Sequence, residues 1–188
     1  MLFKAIKNLA IEFGPIVVFV ILAEFVDFIT STAVFVVLTS IALIASFYER
    51  KSFAIFPFVV AVSVVFFGLL TVVTKDPFFF IIKDTLYNGL LAIMVAISLY
   101  FNKPLLKLFF KDVFDITDVG WTILTKRWGL MFALIAISNE ITRVNMTPQA
   151  WVLYKIFVTI VTAIFGFYQF TLSKKYRSPN SSAWGMRV

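Results

Sequence analysis

The sequence predicts an all-α, polytopic integral membrane protein. Of its residues 61% are hydrophobic, and the mean hydropathy is +0.98. Runs of about 20 apolar residues, the length a bilayer-spanning helix needs, recur along the chain. Short charged clusters separate them. A soluble domain carries roughly 45–50% apolar residues, and 188 residues lack the volume to bury so many apolar runs completely.

Six spans are expected, in one transmembrane domain over about 1–172. Lys4, Asn8 and Glu12 recur at i, i+4, i+8, a weak amphipathic lead-in to the bilayer. Gly14-Pro15 opens the first span, about 13–29, with Pro in a first turn where its missing N–H costs little. Two lysines and an apolar run mimic a signal peptide here. The run ends in Glu24, Phe25 and Asp27 with no small-residue cleavage site, so it reads as an uncleaved span. Span 2 covers about 31–48 and ends at Glu49-Arg50-Lys51. Span 3, about 53–74, has no charge over roughly 33 Å of helix. After the Lys75-Asp76-Pro77 turn, span 4 runs over about 79–101.

The connection that follows repeats Lys103, Lys107 and Lys111 among Leu105, Leu106, Leu108, Phe109 and Phe110. A short interfacial amphipathic helix, flat on an anionic membrane surface, is expected there. Span 5 runs over about 122–141 and span 6 over about 150–172, before a disordered cytoplasmic tail, 173–188. Five spans are the alternative, with the first two merged or one of them interfacial, because Glu24 and Asp27 interrupt that region.

Orientation follows from 17 Lys and Arg residues. With six spans and both termini cytoplasmic, only Lys75 and Arg143 fall outside, while Lys83 and Lys155 lie just inside spans. The remaining thirteen face the cytoplasm, a strong positive-inside bias. The net charge of +7 therefore answers to topology and anionic lipid, and no nucleic-acid partner is expected.

The chain has no Cys and no His. Disulfides, thiol nucleophiles, imidazole bases and most zinc sites are thereby removed. No Gly-rich phosphate loop, Gly-x-Ser-x-Gly or paired-Asp motif occurs, so no catalytic, metal or cofactor residue is expected.

Polar and aromatic residues inside the apolar runs are the candidate functional set: Lys83, Thr85, Asn88, Trp121, Arg127, Trp128, Asn139, Glu140, Arg143, Trp151, Lys155 and Gln169. An ionised side chain at a helix centre costs about 2.5–3.5 kcal/mol on insertion scales, so such residues sit at interfaces, pair, or have a task. Lys83 lies near a boundary, where a polar helix contact competes with plain snorkelling. Trp121 and Trp128 flank Lys126-Arg127 and read as interfacial anchors, as does Trp151. Glu140 pairs with Arg143 at i, i+3, or reaches Lys155 on the next span, or simply meets water. Glu24 and Asp27 read as solvated helix-end charges.

The ordered series Phe67-Gly68-Leu69-Leu70-Thr71, Lys83-x-Thr85-x-x-Asn88 and Asn102-Lys103-Pro104-Leu105 carries a resemblance. It continues with Trp121-x-x-Leu124-x-x-Arg127-Trp128, Asn139-Glu140, Arg143, Trp151-Val152-x-x-Lys155-x-Phe157 and Gln169. Together these resemble the YciB family, the intracellular septation protein A or inner membrane-spanning proteins of Gram-negative bacteria. The chain departs from the family's pattern in two places: the family usually has Trp-Lys-Pro-Thr where this chain has Ile82-Lys83-Asp84-Thr85, and a Trp shortly before the arginine where it has Thr142-Arg143.

The resemblance implies a multi-pass inner-membrane protein without established catalysis, contributing to envelope biogenesis, membrane integrity and septation. Its expected partners are the lipid bilayer and membrane proteins of cell-wall synthesis and division. A small transporter or lipid-handling protein is the alternative.

Overall fold

The computed structural model describes residues 2–50, 55–179 and 181–187, with side chains from residue 14 to 45 and from 60 onward. The side chains of Lys4, Asn8 and Glu12 and the Glu49-Arg50-Lys51 cluster lie outside the described residues. The described fold is all-helical: α1 (Leu2–Phe25), α2 (Phe28–Arg50), α3 (Ile55–Thr74), α4 (Phe78–Tyr100), α5 (Leu105–Phe110), α6 (Asp118–Asn145) and α7 (Pro148–Lys175).

Helix starts and stops follow local chemistry. Asp27 caps α2: its carboxylate accepts the Thr30 N–H at 2.9 Å and the Thr30 hydroxyl at 2.6 Å. Thr117 and Thr147 cap α6 and α7 by accepting the N–H of Gly120 at 3.3 Å and of Ala150 at 3.2 Å. Pro148 then occupies the first turn of α7, where no N–H is needed. Helix α3 ends with Lys75 in the left-handed region (φ 56), and the Asp76 N–H returns to the Thr71 carbonyl at 3.2 Å. Helix α4 ends likewise, with Asn102 at φ 55 and the Lys103 N–H on the Ser98 carbonyl at 2.8 Å. Both are Schellman stops. The Asn102-Lys103-Pro104 motif is thus a helix terminator.

The helices outrun the expected spans. Helix α1 begins at Leu2, so the amphipathic lead-in and first span are one helix and Pro15 lies inside it, not in a first turn. Helices α6 and α7 each have 28 residues, about 42 Å at 1.5 Å per residue. That exceeds a hydrocarbon core of about 30 Å. The expected ranges tracked the apolar part, whereas the caps lie beyond it.

The chain divides into two compact units. The first comprises Met1–Asp84 and Thr142–Leu153. In it α1 packs on α2 and α2 on α3. Five rings, Phe19, Phe28, Phe35, Phe80 and Trp151, form its aromatic core, with neighbouring centroids 5.2–6.1 Å apart. Gly68 permits close approach of α3 to α2: a Cβ there would lie 2.2 Å from Cγ2 of Val36.

The second unit comprises Thr85–Ile141 and Tyr154–Val188. Leu106, Ile116, Trp121, Leu124 and Leu172 form its buried cluster, joined by Phe114, Ile123, Trp128 and Tyr176. Composition predicts a disordered tail, yet the described part of 176–187 is folded back. Thr117 N–H donates to the Tyr176 carbonyl, Asp115 N–H to Gly185, Ser178 N–H to Asp115 and Arg187 N–H to Val113, over 2.8–3.0 Å. Ser, Asn and Lys suit a tail in water; here the backbone groups find partners on the segment before α6 instead.

Large apolar side chains cover the outside of the helices. On α6 the exposed stripe is Leu130, Leu134, Ile137 and Ile141, and on α7 it includes Leu153, Phe157, Ile160, Ile164 and Phe167. The buried positions on α6, Trp121, Leu124, Ile135, Asn139 and Thr142, centre about 140° away on a 100° helical wheel. Polar residues turn inward and apolar ones outward, as lipid as solvent requires. Among the described residues, Phe28–Ala45, Phe78–Tyr100 and Pro148–Lys175 are long and apolar enough to cross a membrane, and Gly14–Phe25 and Val60–Thr74 are shorter apolar helices.

Candidate functional site

In the second unit, three residues from two helices converge. Asn139 on α6 is buried, 1% exposed, and its side-chain amide donates to the Thr85 hydroxyl of α4 at 2.8 Å. That hydroxyl faces the Glu140 carboxylate at 3.4 Å, long for an O–H···O bond. Asn88, one turn beyond Thr85, is also buried. Two residues before Glu140, Ser138 meets the Tyr154 hydroxyl of α7 at 2.7 Å. Sequence reasoning passed over Ser138 and Tyr154; the available signal was their position beside Asn139 and Lys155. Lys155 is partly buried on the next position of α7.

A second set joins α6 to α7 nearer the start of α6. Arg127 Nη1 donates to the Gln169 carbonyl oxygen at 3.2 Å, and its guanidinium carbon lies 5.4 Å from the Tyr168 ring centre. Gln169 is buried and donates its own amide to the Phe165 carbonyl at 2.9 Å, which fixes its orientation. Trp128 lies between the helices, 5.2 Å from Phe165 and 5.6 Å from Phe132 by ring centres.

The first unit holds the remaining candidates. Lys83 and Asp84 pair at 3.2 Å, with side chains only 12% and 10% exposed, and the Lys83 ammonium lies 4.5 Å over the Phe80 ring. Snorkelling into water does not describe Lys83: the adjacent Asp84 carboxylate neutralises it in place. Arg143 lies 5.0 Å from the Phe78 ring.

The three tryptophans depart from the expected interfacial belt. Trp151 and Trp121 are each 2% exposed, the former in the five-ring core and the latter in the cluster under the tail. Trp128 is half-buried between helices. Near-end position in a span suggested an anchor, but local sequence does not reveal that tertiary packing covers the ring.

The fold and these inward-facing polar pairs define an all-helical integral membrane protein. Residues 7–180 match the family model described as intracellular septation protein A. The inner membrane-spanning protein YciB of Bradyrhizobium sp. (strain ORS 278) is 37% identical over 176 residues, covering 93% of this chain and 88% of the relative. Proteins of the same name from Mesorhizobium japonicum and Brucella melitensis biotype 1 are 34% and 33% identical, over 89% and 90% of this chain and 82% and 92% of theirs. No solved structure matches. The chain belongs to the intracellular septation protein A family and is a multi-pass protein of the Gram-negative inner membrane.

Proposed function

We propose that this protein contributes to septation, envelope biogenesis and membrane integrity without catalysis, by docking membrane proteins of wall synthesis and division on its lipid-facing helices. Six spans with cytoplasmic termini are part of this reading; the positive-inside bias and the six long helices support it. The observation that carries it is the arrangement of the second unit. There Thr85–Asn139, Arg127–Gln169 and Ser138–Tyr154 bond one another, while α6 and α7 present apolar stripes. Such a body is braced inside and open to helix–helix contact outside.

Photo-crosslinkers placed at Leu130, Ile137, Phe157 and Ile164 in intact cells test the proposal. The expected adducts are division or wall-synthesis membrane proteins, and adducts with lipid alone would sink it.

We also propose that Glu140 and Lys155 pair across α6 and α7. The Ser138–Tyr154 bond supports this by joining the same turns. Glu140→Lys and Lys155→Glu should each abolish complementation of a deletion strain, and the double swap should restore part of it. No restoration refutes the pair.

A further inference from the structure

Arg127 stands at the margin of the α6 lipid stripe. On a 100° wheel it falls about 20° beyond Leu134 and about 100° from Lys126, short of the buried face. Its partners are a neutral amide oxygen and a neutral ring. Among the described residues no carboxylate lies within ion-pair distance of it. Nine positions into α6, it stands about 13.5 Å from the helix start, one turn before exposed Leu130 and against the exposed Tyr168 ring. A guanidinium left without a counter-charge among apolar side chains is costly in a bilayer.

Buried Gln169, held by the Phe165 carbonyl, takes one N–H and steadies the fork. The rest of the planar donor set matches two phosphate oxygens. The geometry points to a bound anionic phospholipid: its phosphodiester pairs with Arg127, and its acyl chains lie along the exposed side chains of α6 and α7. Basic pockets between spans hold head groups in this way. The leaflet is the one beside Lys107, Lys111 and Lys126, all exposed at this end of the unit.

The test uses the full chain, purified in mild detergent with equal phosphatidylglycerol and phosphatidylethanolamine, and counts retained lipid by native mass spectrometry. The wild type should retain phosphatidylglycerol preferentially, and R127Q should lose roughly tenfold of that retention, the scale of a charged hydrogen bond. K126Q, on the exposed stripe, should match the wild type, and excess inorganic phosphate should not displace the lipid.

Wild-type retention in R127Q, no preference over phosphatidylethanolamine, equal loss in K126Q, or displacement by inorganic phosphate would each overturn the proposal. Should R127Q not elute as a folded protein, R127K decides. It keeps the charge but not the fork, so reduced retention supports the site and unchanged retention overturns it.

Discussion

The side-chain amide of Asn139 donates to the Thr85 hydroxyl across 2.8 Å, tying α6 to α4 inside the second unit. Removing either partner costs the other one hydrogen bond in surroundings with little water. Interhelical hydrogen bonds in membrane proteins average about 0.6 kcal/mol and reach about 1.7, because unfolded helices in the bilayer find other partners. The buried position of Asn139 favours the upper half of that range. Asn139→Ala and Thr85→Val should each lower stability in detergent unfolding, and the double variant should lose less than their sum by about 1 kcal/mol. Strict additivity would show that the bond contributes nothing.

Gly68 and Val36 set the closest approach of α3 to α2. A Cβ at 68 would lie 2.2 Å from Val36 Cγ2, far inside contact distance, and valine's stiff χ1 gives it little room to yield. Gly68→Ala should therefore destabilise by about 1–3 kcal/mol, the scale of overpacking. Adding Val36→Ala should recover most of the loss. A Gly68→Ala protein as stable as the wild type would mean that the helices separate freely. Gly129 against Val95 is the equivalent approach in the second unit, where an added Cβ would lie 2.4 Å from Val95 Cγ1.

Gly185 holds the tail in place. Its φ of +68 is left-handed, and a Cβ would stand 2.5 Å from the Ser173 carbonyl oxygen. The Ser173 hydroxyl donates to the Trp184 carbonyl at 2.8 Å, so α7 and the tail close on each other there. Gly185→Val should release the residues after Lys175 and make them sensitive to trypsin at Arg177 and Arg187, while the wild type resists. Equal cleavage of both proteins would count against a docked tail.

Much of this fold is legible in the sequence because lipid imposes a simple rule on long helices. The α6 stripe Leu130, Leu134, Ile137, Ile141 and the opposing Asn139 and Thr142 follow from periodicity alone. Helix ends were legible in principle too: Asp27, Thr117 and Thr147 are ordinary capping residues just before apolar segments. What the sequence hides is what depends on distant partners. Trp151 has the address of an interfacial anchor but is covered by Phe28 and Phe80. Lys83 resembles a snorkelling lysine until Asp84 is seen folded against it. The tail has a solvated composition, and only the backbone acceptors of Asp115 and Val113 show where it docks.

Asp27 offers a test with a defined sign. Exposed at the start of α2, its carboxyl is held below the ordinary carboxylate range, first by the Thr30 hydroxyl and then by the Thr30 N–H. The folded state therefore releases this proton more readily than the unfolded state. The stabilisation is complete above the unfolded value of about 3.9, and it fades as pH falls through the depressed folded value. Asp27→Ala removes the cap, so the midpoint gap to the wild type should be constant from neutral pH to about 5 and narrow below about 4. Asp27→Asn keeps a capping oxygen that does not titrate, so its stability relative to Asp27→Ala should not vary with pH. Thermal unfolding in micelles, followed by circular dichroism across that range, checks both. A wild-type gap that stays constant to about pH 2 would mean that the charged form of Asp27 gains nothing from Thr30.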